Sequence, residues 1–125
     1  MNYILEPFNH SFYNFVYELK KLCYKDYVVE NFGSWNDDEQ YKFFDNYIDK
    51  CSKNIQIIIV NNEPVGFFEG SILDFSTYEI GNICILPEFQ GKGIGSSILK
   101  NIINENKDKN ISLRVFIQNP AKKTL

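Results

Sequence analysis

A chain of 125 residues, 44% hydrophobic and 23% charged, has apolar side chains enough for one core and little more, so a single domain over 1–125 is expected. Its net charge of −3 is spread without a basic block, which argues against nucleic acid as a partner. "MNYILEPFNH" lacks the basic flank and long apolar centre of a secretory signal, no other apolar run approaches a membrane span, and the widely spaced Cys23, Cys51 and Cys84 suit reduced thiols better than a disulfide framework or zinc site; a cytoplasmic protein with no membrane partner and no metal is expected.

In chain order, "NYILEP" reads as a short strand stopped by Pro7. The segment from Asn9 to Phe32 places Phe12, Phe15, Val16, Leu19, Leu22 and Cys23 at helical spacing, with Asn9 or Ser11 as its cap and His10 beside the helix start. After the break at Gly33 and Ser34, the run Asn36, Asp37, Asp38 and Glu39 suits the positive end of a second helix. The apolar stripe of that helix is Tyr41, Phe44, Tyr47 and Ile48. "IQIIIV", "NNE" and "PVGFFEGSIL" read as strand, turn and strand. "TYEIGNICIL" is a third extended run closed by Pro87, and Ile94, Ile98, Leu99, Ile102 and Ile103 predict a helix. "ISLRVFI" is a last strand, and "QNPAKKTL" starts a further helix. Strands that come singly, then in a meander, then across a helix imply an α/β or α+β class with a mixed sheet.

The stretch "PEFQGKGIGSSILKNII" puts three glycines into five positions directly before the predicted helix. A strand ending at Leu86, a tight turn and a helix starting near Ile94 leave several main-chain N–H groups without intrahelical partners. Such donors, at the positive end of a helix dipole, suit an anion, and glycine lets a phosphate approach the backbone. The competing explanation is a glycine turn that only lets helix and strand pack closely. Spacing excludes the commonest phosphate loops. Lys92 is followed by Gly93, with no hydroxyl for magnesium, and Ser96 stands where a dinucleotide fingerprint needs its third glycine.

What fits is Gln-x-x-Gly-x-Gly, here Gln90, Gly91, Lys92, Gly93, Ile94 and Gly95, after "ICILPEF". On these residues the chain resembles the GNAT superfamily of acyl-CoA-dependent N-acyltransferases. "YELKKLCYKDYV", "GSWNDDEQ", "EPVGFFEG" and "VFIQNPAKKTL" fall in the order, and near the spacings, of a bacterial subgroup, so the resemblance covers nearly the whole chain. It implies a mixed, mostly antiparallel sheet flanked by helices, without the usual last helix and C-terminal strands. It also implies transfer of an acetyl group from acetyl-CoA to a primary amine by direct attack in a ternary complex.

The resemblance assigns roles residue by residue. Main-chain groups of Ile83, Cys84 and Ile85 serve the thioester and pantetheine of coenzyme A, beside a bulge at Gly81 and Asn82. Gly91 to Ser96 hold the pyrophosphate, Gln90 belongs to the same loop, Lys92 adds charge, and Asn119 contacts the cofactor after the following strand. Attack on a thioester needs a neutral amine, hence a base. Glu79, read as in phase with Ile83 and Ile85, is the first candidate, against the plainer reading of a solvated strand-end carboxylate. Arg114 stands where another branch of the family carries a glutamate base. Cys84 has no histidine partner in view and reads as packing.

Trp35 and Tyr27 are assigned to a small-molecule or peptide amine acceptor, in a region also rich in Tyr24, Tyr41 and carboxylates. Family members commonly place a tyrosine acid just after "NPAKKTL", whereas this sequence stops at Leu125. The alternative expectation is therefore a weak or inactive acyl-CoA-binding module. A strand from Ser112 to Ile117 with an open edge would pair two copies into a homodimer.

Overall fold

The computed structural model describes residues 1–114. Chain order is β1 (Ile4–Pro7), α1 (Tyr13–Phe32), α2 (Asp37–Cys51), β2 (Ile55–Val60), β3 (Glu63–Asp74), β4 (Thr77–Ile85), α3 (Ile94–Glu105) and β5 (Asn110–Leu113). The five strands lie in the order β1-β2-β3-β4-β5. The first three pairings are antiparallel, and β5 runs parallel to β4 across the α3 connection. This is the mixed, mostly antiparallel sheet with flanking helices that the sequence predicts. The expected continuation of β5 to Ile117, the helix start in "QNPAKKTL" and Asn119 all lie outside the described residues.

The helices take opposite faces because β2 is apolar on both. Ile55, Ile57 and Ile59 pack with Val16, Leu19 and Cys23 of α1 and Phe44 and Ile48 of α2. Ile58 and Val60 pack with Ile80, Ile83 and Ile85 of β4 and Ile94, Ile98 and Ile102 of α3. A strand buried on both sides reads as a continuous apolar run, which "IQIIIV" is. β2 turns into β3 through Asn61 and Asn62, with φ of 51° and 65°. Both are left-handed, as a two-residue hairpin turn needs, and asparagine tolerates that region.

Local signals fix the helix ends. Asn36 caps α2 by accepting the Glu39 N–H at 3.0 Å, and Gly33 ends α1 at φ 89°. Asn9 accepts from Ser11 N–H in a short 3-10 turn that precedes α1 and carries His10. The expected stripe of α1 needs one correction. Leu22 is 53% exposed, whereas Tyr17 and Tyr24 are buried. Each of these tyrosines spends its hydroxyl on a partner, on Asp37 and Asn82 respectively, which lets its ring enter the core.

A bulge in β4 decides which face carries which residue. Glu69 pairs with Asn82 and Gly70 with Ile80, so Gly81 is left without a partner in β3. A Cβ at Gly81 would sit 2.7 Å from Glu69 Oε1, so any larger residue there would have to push that carboxylate aside. The extra residue inverts the alternation along the strand. Ile80 and Ile83 share one core cluster although they are three residues apart. Glu79 therefore lies on the face of Asn82 and Cys84, and the expectation that it is in phase with Ile83 and Ile85 is corrected.

Candidate functional site

The glycine turn is fastened to the end of β4 from behind. Leu86 N–H donates to Val65 O at 2.8 Å, Phe89 N–H to Leu86 O at 2.9 Å, and the Gln90 side-chain amide to Ile85 O at 2.9 Å. Gln90 is thus a brace that fixes where the loop begins. Gly91 and Gly93 then adopt φ of 73° and 85°, and an added Cβ at either would meet nothing within 4 Å. These two glycines are required by backbone conformation, with open space before them, and not by close packing of helix on strand.

Their effect is on the main chain. Among the described residues no hydrogen bond reaches the N–H groups of Gly91, Lys92, Gly93, Ile94, Gly95 or Ser96. The ladder of α3 begins with Ser97 N–H on Gly93 O at 2.9 Å. Ile94 and Gly95 are buried and anchor the first turn, while Lys92 is exposed. A rigid row of unspent donors on a helix dipole fits a diphosphate. Ile83 and Ile85 are buried beneath α3, and Cys84 is buried on the other face. The Cys23 thiol is pushed up by its hydrogen bond with Cys84 and by burial, the opposite of a nucleophile's environment.

On the opposite face of the sheet from α3, a cavity of about 480 Å³ is lined by residues of α1, α2, their connection and β4, among them Lys20, Tyr24, Trp35, Tyr47 and Asn82. Trp35 lines it as expected from its place between the helices. Tyr27 is not among its lining residues, and its carbonyl accepts the Asn31 side-chain amide at 2.8 Å. The floor is a polar network that sequence reading missed. Tyr24 Oη donates to Asn82 Oδ1 at 2.7 Å, Asn82 Nδ2 to Glu69 Oε1 at 3.0 Å, and Tyr47 Oη to Glu69 Oε1 at 3.1 Å. Glu69 is only 6% exposed, and its charge together with burial pushes the Tyr47 hydroxyl up. A carboxylate inside the apolar run "PVGFFEGSIL" was the available signal. Glu79 faces Arg114 instead, with 3.5 Å between Oε1 and Nη2.

The cavity mouth is held by Asp37. Its Oδ1 accepts from Tyr17 Oη at 2.7 Å, Trp35 Nε1 at 3.0 Å and Lys21 Nζ at 3.1 Å, which lowers its pKa to about 2. A depressed carboxylate stabilises the fold above its unfolded value, near 3.8, and that contribution disappears as pH falls through about 2. Asp37→Asn should therefore be less stable than wild type at neutral pH, with the gap closing on acidification across that window. Urea midpoints measured against pH check this, and a gap independent of pH would contradict it.

Among the described residues no group of three or more His, Cys, Asp or Glu is placed to hold a metal, and no helix is long and apolar enough to cross a membrane.

Comparison with known proteins bears on the family and the fold. The family model described as "Acetyltransferase (GNAT) family" matches residues 14–124. No curated protein matches the sequence significantly. Among solved structures, the fold is similar to the PaiA N-acetyltransferase of Thermoplasma acidophilum in complex with coenzyme A, at a TM-score of 0.64 and 14% identity over 98% of this chain and 85% of that one. It is similar to a GNAT family acetyltransferase of Elizabethkingia anophelis with acetyl-CoA bound, at 0.55 and 26% over 86% and 59% of the two chains. It also resembles the ribosomal-protein-S18-alanine N-acetyltransferase of Escherichia coli, at 0.56 and 12% over 83% and 59%.

Proposed function

The chain belongs to the acetyltransferase (GNAT) family, and on that premise we propose that it transfers an acetyl group from acetyl-CoA to a primary amine held in the cavity between α1 and α2. The unspent N–H row from Gly91 to Ser96 carries this reading. Those amides receive the pyrophosphate, Lys92 adds charge beside it, and Gln90 holds the loop in register with β4. The pantetheine arm then follows the main chain of Ile83, Cys84 and Ile85, and Asn119 is assigned to the same donor. This path leads toward Asn82, which lines the acceptor cavity.

The donor supplies an activated thioester. The acceptor amine, once neutral, attacks its carbonyl carbon within a ternary complex. The new C–N bond forms as the C–S bond breaks, the thiolate takes up a proton, and the proton lost from nitrogen passes to a base. Glu79 lies on the cavity-side face of β4 and is assigned that proton. Glu79→Gln should lower kcat about 100-fold or more, the scale of general-base catalysis. Thiol release across an amine panel measures it. An unchanged kcat would reduce Glu79 to a partner for Arg114, and absence of turnover with every amine would overturn the transferase reading.

A further inference from the structure

Lys20 is the unusual residue of the cavity. It projects from α1 with its Nζ 4.1 Å from the centroid of the Tyr47 ring and 5.2 Å from that of Tyr24. Among the described residues its ammonium makes no hydrogen bond and has no carboxylate within 4.0 Å. Glu69 is the carboxylate whose charge acts on it, and that carboxylate is already engaged by Tyr47 and Asn82. Among the described residues no buried side-chain nitrogen or oxygen lacks a partner, so Nζ is not sealed in the core and opens onto the cavity it lines.

A lysine that lines an aromatic cavity with three unspent donors is a binding group. Two aromatic faces steady the cation but take no hydrogen bond from it. Burial lowers the pKa of Lys20, and a bound anion would reverse that effect. Val28, Phe32, Phe43 and Phe44 form the apolar part of the lining, and Ser34, Asn36, Glu39 and Gln40 form a polar part of it. Phe32 and Phe43 are 75% and 60% exposed, which is costly unless something apolar covers them.

Resting on the transferase reading above, we propose that the acceptor is an amine that also carries a carboxylate and an apolar body, the chemistry of a hydrophobic amino acid, and that Lys20 binds the carboxylate. The apolar body lies against Phe32, Phe43 and Trp35, and the amine is left toward Asn82 and β4. A simple alkylamine would leave the Lys20 donors without a charged partner beside the two tyrosine rings, which selects against it.

Trp35 is the only tryptophan in the sequence and lines the cavity, so its fluorescence reports occupancy without any acetyl donor. The probes are hydrocinnamate and hydrocinnamyl alcohol, which share the apolar body and differ in charge. Hydrocinnamate should titrate Trp35 at about 30-fold lower concentration than the alcohol, the scale of a desolvated charge pair. Lys20→Met, which keeps the stem over Tyr47, should abolish that preference, and Lys20→Arg should restore most of it. Equal titration by the two compounds, no response to hydrocinnamate, or an unaltered preference in Lys20→Met would overturn the proposal. A carboxylate preference without turnover of any amine would leave the Lys20 carboxylate site standing and overturn the enzymatic reading on which the word acceptor rests.

Discussion

Replacing Gly93 by aspartate is expected to weaken coenzyme A binding about 100-fold, the worth of one or two charge-assisted hydrogen bonds. The residue caps α3 at φ 85° with open space before it, so a new carboxylate would enter the proposed anion site and repel the diphosphate. Left-handed strain alone accounts for part of any loss. Gly93→Asn separates the two effects, because asparagine has the same shape, visits that region readily and carries no charge. Calorimetric titration with coenzyme A should place the asparagine variant within about threefold of wild type on that reasoning. Equal losses in the two variants would trace the effect to backbone strain.

Gly66→Ala is expected to cost about 3 kcal/mol of stability, at the upper end of ordinary overpacking. A Cβ there would lie 2.6 Å from the carbonyl oxygen of Cys84 and 3.2 Å from Cα of Ile85. Both are main-chain atoms, so relief requires β4 to move at the residues assigned to the pantetheine arm. The contrast is Gly81→Ala, whose Cβ meets the end of the Glu69 side chain at 2.7 Å. A side chain swings aside more cheaply than a strand, at the expense of the hydrogen bonds to Asn82 and Tyr47. Urea denaturation should rank Gly66→Ala below Gly81→Ala. For a domain whose whole stability is about 5–15 kcal/mol, the first loss is severe.

These two glycines also show where sequence reading reaches and where it stops. The turn from Gln90 to Ser96 was legible because its causes are local: left-handed glycines, a preceding proline and an apolar helix stripe all lie within a few residues. The start of α2 at the run Asn36 to Glu39 and the hairpin at Asn61 and Asn62 were legible for the same reason. Trp35 was placed by the family resemblance, which puts the loop between the two N-terminal helices at the acceptor side.

A bulge at Gly81 and Asn82 was expected, but Glu79 was read as if the alternation ran straight through it; which residue is left unpaired, and so the face of Glu79, is set by the register with β3. Glu69, Asn82, Tyr24 and Tyr47 meet only once the β3–β4 register and the packing of α1 and α2 are set. Lys20 looked like one charge among several on a helix, and only the tertiary structure turns it toward two tyrosine rings. Leu22 and Tyr17 exchanged their expected places because a tyrosine with a carboxylate for its hydroxyl is a better core residue than periodicity alone suggests.

The central claim is that main-chain amides of residues 91–96 bind the diphosphate of the acyl donor. Selective nitrogen labelling of glycine makes it directly observable, since the sequence has seven glycines and three of them, Gly91, Gly93 and Gly95, lie in the turn. On addition of coenzyme A those three amide resonances should shift together and saturate, while Gly33 at the end of α1 stays in place. Binding that leaves all three unmoved, or no binding at all, would contradict the account.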